Sequence, residues 1–399
     1  MLEHLKVVEY ATYMAAPGAS AILADWGAQV IKVEPPGGDP ARQFFATIGA
    51  DMGANPVFEF DNRNKRGIVL DTAKPEGREA LRRLALWADV FITNVRPGGL
   101  ERAGLDYPAL SALNPKLIYA SITGYGLTGA DKDRPGFDIA SFWARAGLAA
   151  AFAPKGSEPV PIRSAMGDHT TSLAAAAGIL AAVAERTQTG KGRLVEASLM
   201  RTAHFVMGTD FSIQHAFGRL ASARPRRDAV SPLANFFKSG DGQWVCFVPR
   251  QGPTDWHGYC RAVGRPDLID DPRFASGKAR RENGAALVDA LDAACAALTY
   301  EELARRLDAE DVAWAPVQTP AQACADPQLV AAGGVVDAPQ ADGRTIKAPA
   351  GPVRFNAGEG PKTPAPTPGQ HTRAVLAELG YAPADIDALI AAGAAREGV

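Results

Sequence analysis

Two spacings alternate through the first half of the chain: short continuous apolar runs, and longer stretches with helical periodicity. Lys6–Tyr10, Ala28–Glu34, Gly67–Asp71, Asp89–Asn94 and Leu117–Ile122 read as strands. Gly18–Trp26 and the stretch from Pro75 through Trp87 read as helices between them. Strands with little alternation, separated by helices, predict a parallel sheet covered on both faces, hence an α/β fold. Such sheets bind ligands at the carboxyl ends of their strands. Asn94, Arg96 and the Gly124–Gly129 loop all fall just past predicted strand ends, so one crevice should collect them.

The pattern changes after residue 205. Residues 206–232 carry four arginines, two prolines and little periodicity, and read as a linker. A new unit then begins. Asn235–Lys238 and Trp244–Val248 read as strands around the turn Ser239-Gly240-Asp241-Gly242, followed by helices near 253–263, 281–298 and 300–308. The predicted organisation is 1–205, a large domain; 206–232, linker; 233–317, a small α+β domain; 318–334, linker; and 335–399, a return to the large domain. That return is extended to about 368 and helical near 371–379 and 383–393.

Composition narrows the classes. With 47% hydrophobic residues the chain can build large cores, and a formal net charge of -2 argues against a nucleic-acid surface. No secretory signal and no apolar run of membrane-spanning length is visible, so neither export nor a membrane partner is expected. The four cysteines fit neither a zinc site nor a disulfide frame and read as reduced residues of a cytoplasmic protein. The six histidines show no metal-ligand spacing, so no metal is expected. Gly124-Tyr125-Gly126-Leu127-Thr128-Gly129 matches the dinucleotide fingerprint. Pro135 and Gly136 follow where its helix should run, so a nicotinamide or flavin enzyme is a poor reading.

The run Met166-Gly167-Asp168-His169-Thr170-Thr171 places a carboxylate before the helical pattern of residues 172–185. By spacing alone Asp168 is a helix N-cap. Other motifs open a second reading: Leu23–Ala28 with Val30–Glu34; Asn64-Lys65-Arg66; Asn94-Val95-Arg96-Pro97-Gly98; Gly124-Tyr125-Gly126; Arg134–Asp138; Gly167-Asp168; and Thr189-Gly190-Lys191-Gly192. In this order they resemble the class III CoA-transferase family, the formyl-CoA and carnitine CoA-transferase group. The likeness is dense over residues 5–203 and looser beyond.

The resemblance implies a large Rossmann-like domain, a smaller domain and an interlocked-ring homodimer. It implies Asp168 as the catalytic carboxylate, Asp138 as its acidic neighbour and Gly167 as room for a thioester. CoA contacts are implied at Tyr13, Met14, Leu70, Asn94, Arg102 and Phe137. Coenzyme A would arrive as part of the substrate, with no tightly bound cofactor. Met14 and Leu70 read equally as core, Arg102 as a solvated charge, and Asn94 as a turn cap. Lys65-Arg66 reads as a solvated pair. Pro35 stands where some members carry a phosphate-binding arginine, a contact Arg42 is placed to replace. Val248-Pro249-Arg250-Gln251-Gly252 stands where formyl-CoA enzymes have a glycine lid. Phe137, Phe142 and Trp143 read as an acyl pocket or as core, and Arg163 or Arg250 as a partner for a second carboxylate or as solvated.

The implied chemistry moves CoA from an acyl-CoA to a free carboxylic acid through acyl-aspartyl anhydride and aspartyl-CoA thioester intermediates on Asp168. Two alternatives stand beside it. A 2-methylacyl-CoA racemase would need a histidine where Phe137 stands. A non-catalytic CoA-ester-binding protein would not need the Gly167-Asp168 pair.

Overall fold

The computed structural model describes residues 1–47, 55–250, 253–356 and 362–398. The chain forms two units: a larger one of residues 1–150, 160–220 and 330–399, and a smaller one of residues 151–159 and 221–329.

In the larger unit β1 (Lys6–Tyr10), β2 (Gln29–Glu34), β3 (Lys65–Leu70), β4 (Val90–Thr93), β5 (Ile118–Thr123) and β6 (Leu194–Ser198) form one parallel sheet in the order 3-2-1-4-5-6. That is the doubly wound order, with its switch point between β1 and β4. Side chains alternate across it, as a strand requires. Val8, Ile31, Phe91 and Tyr119 pack on the face covered by the helices Pro75–Trp87 and Thr372–Glu378. Val7, Val30, Val90 and Ile118 pack on the other, against Ala15–Asp25 and Met166–Thr189. Both faces are dry, which is why the strands read as apolar runs.

In the smaller unit β7 (Phe236–Lys238), β8 (Trp244–Phe247) and β9 (Trp314–Pro316) form an antiparallel sheet. Phe237, Val245 and Phe247 pack there with Trp256, Tyr259, Leu291 and Leu303 of three helices. The chain returns to the larger unit through the hairpin of β10 (Val335–Pro339) and β11 (Thr345–Pro349), and β12 (Ala395–Arg396) pairs antiparallel with β3.

Three sequence expectations differ from the structure. The helix at 172–185 runs from Met166 to Thr189, so Asp168 lies inside its first turn; the cap position belongs to Ala165, at φ 62°. The Thr-Thr-Ser run tolerates helix because each hydroxyl bonds back one turn. Thr170, Thr171 and Ser172 donate to the carbonyls of Met166, Gly167 and Asp168 at 2.6, 2.8 and 2.9 Å. The stretch 206–232 contains a helix, Gly208–Phe217. Lys65 is not solvated: its side chain is fully buried against Glu9.

Candidate active site

The switch point opens a cavity of about 410 Å³ in the larger unit. At its base β1 and β4 part, and Asn94 bridges them. Its Oδ1 accepts from the Thr12 N–H at 3.1 Å and its Nδ2 donates to the Thr12 carbonyl at 2.6 Å. Tyr13 follows with φ 64°, held by its N–H on Asp39 Oδ1 at 3.0 Å. Its ring meets Phe137 edge-on, with centroids 5.3 Å apart, and both rings line the cavity. The Gly124–Gly129 loop has no helix behind it. A side chain at Gly124 would begin 2.8 Å from the Gly136 Cα, so these glycines let two loops touch. Arg96, Lys132 and Arg134 add positive charge to the cavity wall.

Asp168 enters this cavity from the first turn of its helix. Its position depends on Gly167: a Cβ there would lie 2.7 Å from Phe142 Cγ and 2.9 Å from Asp138 Cβ. Phe142 and Asp138 belong to a π-helical turn, Ile139–Arg145, capped by Asp138 through the Ile139 N–H at 2.7 Å. The glycine therefore lets the helix start pack onto the π-turn, which brings two carboxylates close. Burial pushes the Asp168 carboxyl up to about 7, with the negative Asp138 adding to the rise and His169 opposing it. Asp138 is itself buried, and its Oδ2 has no hydrogen-bond partner among the described residues. The amide N–H groups of Gly167 and Asp168 also find no acceptor among the described residues, as expected of a helix start.

His169 turns the other way. Its Nε2 lies 3.0 Å from Oδ1 of the buried Asp61, and its ring meets Phe60 edge-on. Burial opposes its charged form, but Asp61 and Asp168 together hold its pKa above the usual imidazole value. It lines a separate cavity of about 150 Å³ with Asp61 and Leu173.

The structure thus brings Tyr13, Asn94, Phe137 and Asp168 to one cavity, with Gly167 and Asp138 packed behind the last. It does not bring Leu70, Met14 or Arg102 there. Leu70 is 1% exposed in the sheet core, Met14 is 8% exposed at the helix start, and Arg102 is exposed on the last turn of Pro97–Ala103. Arg42 is engaged with Glu34 at 2.6 and 2.8 Å and with the Pro366 carbonyl. Phe142 and Trp143 are core residues, and Arg250 pairs with Asp255 at 3.2 Å. Gln251 and Gly252 of the expected lid lie outside the described residues. Arg96 lies in the crevice where its sequence position, just past a strand end, puts it, and Lys132 and Arg134 beside it are not among the residues expected there. No helix is long and apolar enough to cross a membrane, and no group of three or more His, Cys, Asp or Glu side chains could hold a metal ion, among the described residues.

Comparison with known proteins identifies the family. The model of CoA-transferase family III matches residues 2–372. The chain is 36% identical over 385 residues to an (R)-2-hydroxy-4-methylpentanoate CoA-transferase of Clostridioides difficile, covering 96% of each. It is 31% identical to a succinyl-CoA–D-citramalate CoA-transferase of Chloroflexus aurantiacus, covering 95% of this chain and 94% of the other. A crystal structure of a CaiB/BaiF family protein from Brucella suis superposes with a TM-score of 0.83 at 32% identity, covering 95% of this chain and 99% of that one. The chain belongs to CoA-transferase family III. It is an acyl-CoA:carboxylate CoA-transferase.

Proposed function

We propose that the transfer runs through covalent intermediates on Asp168. An Asp168 oxygen attacks the thioester carbonyl of the donor, and the C–S bond breaks to give an acyl-aspartyl anhydride and CoA thiolate. The thiolate attacks the aspartyl carbonyl, releasing the donor acid and leaving an aspartyl-CoA thioester. The acceptor carboxylate attacks that carbonyl and displaces the thiolate. The thiolate then takes the acceptor acyl group and restores the carboxylate. Each anhydride keeps the thioester's free energy, so no other energy source enters.

The observation that carries this reading is the environment of Asp168: a partly desolvated carboxylate in the cavity, its pKa raised to about 7, beside amide N–H groups with no other partner among the described residues. A carboxylate stripped of water is a stronger nucleophile, and donors at a helix start stabilise the oxyanions of acyl transfer. Arg96, Lys132 and Arg134 fit the phosphates of CoA, with Tyr13, Asn94 and Phe137 along its path. Coenzyme A is then a substrate part and no resident cofactor is required. We also read the chain as a cytoplasmic homodimer. The helices Leu199–Val206 and Gly208–Phe217 leave Phe205 84% and Phe217 72% exposed, an apolar face that a second copy would cover.

Incubation with acyl-CoA followed by hydroxylamine should leave a hydroxamate on Asp168, detected by mass spectrometry. A fully active Asp168→Ala enzyme ends the reading. The racemase alternative is disfavoured because Phe137 cannot carry a proton and His169 is held by Asp61. Washout of α-deuterium without CoA exchange would restore it.

A further inference from the structure

A cavity of about 540 Å³ is lined wholly by residues of the smaller unit, none of them among the residues around Asp168. Val230, Pro232 and Leu233 form an apolar wall, and Arg250, Arg280 and Arg281 face it against a single carboxylate, Asp255. Arg250 is already engaged by Asp255 and by the Asp311 carbonyl. The other two are not neutralised. Arg280 gives one N–H to the Phe274 carbonyl at 2.7 Å and lies 4.8 Å from the Trp256 ring centroid. Neither Arg280 nor Arg281 has a carboxylate partner among the described residues. Their guanidinium nitrogens lie 3.9 and 3.8 Å from the point where a Gly277 side chain would begin, so two like charges are held over one glycine. Burial, with Arg281 beside it, lowers the pKa of Arg280 below the usual arginine value. Trp256, also in the cavity lining, is 2% exposed, and its buried Nε1–H has no acceptor among the described residues.

A buried donor without an acceptor and a half-buried cation without a carboxylate are costly, and the exposed Arg281 adds a second charge beside them; one anion would answer all three. We propose that this cavity binds the oxyanion head of a small organic ligand, a carboxylate or a phosphate. Arg280 and Arg281 take its charge, the Trp256 indole N–H donates to it, and the Val230–Leu233 wall receives the carbon skeleton. The proposal does not rest on the chemistry at Asp168.

The test uses the full chain labelled with 15N-tryptophan, the Trp256 indole resonance being assigned by its loss in Trp256→Phe. Titration with inorganic phosphate and, separately, with hexanoate should shift that resonance saturably. Arg281→Gln, at an exposed position, should weaken the response about tenfold, the loss of one charge-assisted hydrogen bond. Asp168→Ala should leave it unchanged. A shift with phosphate alone assigns a phosphorylated ligand, with hexanoate alone a carboxylic acid, and with both any oxyanion head. No shift with either probe, an undiminished response in Arg281→Gln, or a response lost in Asp168→Ala overturns the proposal.

Discussion

Two clusters of buried charge in the larger unit are built in opposite ways. Around Glu9 every charge is answered. Lys32 lies 2.7 Å from Glu9 Oε1 and 2.8 Å from Asp39, and Lys65 lies 2.6 Å from Glu9 Oε2. The two lysines overcome its burial and pull the Glu9 carboxyl down to about 2. Around Asp168 the carboxylates of Asp138 and Asp61 add to one another, and His169 opposes them. The first cluster ties elements together. Lys65 also holds the Pro17 carbonyl and Asn62 Oδ1, and Asp39 carries on to the Tyr13 N–H. The second leaves a carboxylate raised in energy at a cavity. Compensated burial builds the frame, and uncompensated burial stores reactivity within it.

The contrast breaks first at the nucleophile. Asp168→Ala should lower kcat by about 10⁴-fold or more, as for loss of a covalent catalyst, with the protein still folded. Steady-state transfer assays and circular dichroism together check it. Loss of folding instead of activity would assign Asp168 to the frame. Glu9→Gln should do the reverse. It leaves Lys32 and Lys65 buried without their shared carboxylate, at a cost of about 3–5 kcal/mol. Urea denaturation would read that loss, and an unchanged midpoint would place both lysines in water.

The frame was the more legible cluster. Glu9 and Lys32 interrupt the apolar strands Lys6–Tyr10 and Gln29–Glu34 with opposite charges, and they sit directly opposite in the register. Charges of opposite sign inside dry strands signal a buried pair, a signal that the expectation of a solvated Lys65 does not use. The sheet itself was readable because its strands are covered on both faces. The family was legible through the ordered motifs, and the chemistry proposed for Asp168 rests on that resemblance. The site was not legible in its local geometry. The π-turn at Ile139–Arg145 has no simple periodic signature, and the Asp168 helix was cut short because Thr-Thr-Ser disfavours helix unless its hydroxyls bond back. At Leu70 the side chain is buried in the sheet core, a placement the motif alone does not reveal.

Gly167→Ala tests the junction that brings the two carboxylates together. The added methyl meets Phe142 and Asp138, and both lie in a turn fixed by packing. Overpacking of this kind costs about 1–3 kcal/mol and moves Asp168 as it relaxes. The variant should lose thermal stability and kcat together. A variant with wild-type values of both would place the turn elsewhere.

The smallest effect is the most diagnostic, because it changes a charge and almost no shape. Asp138→Asn keeps an oxygen for the Ile139 N–H but removes the negative charge facing Asp168. The Asp168 carboxyl titrates near 7 in the folded protein, against an ordinary value of 3.8. Between those values the unfolded chain ionises this group while the native state keeps its proton. Its ionisation therefore erodes stability as pH rises through that window, and the erosion is complete above 7. The same ionisation creates the nucleophile, so kcat/KM should rise with pH along a limb near 7. Without the Asp138 charge the Asp168 pKa falls. The limb should move down by about one pH unit, and less stability should be lost between pH 4 and 7. Measuring both profiles separates the field of Asp138 from its packing. A limb that stays in place while stability drops would make Asp138 a structural cap, and the rise at Asp168 would then come from burial with Asp61.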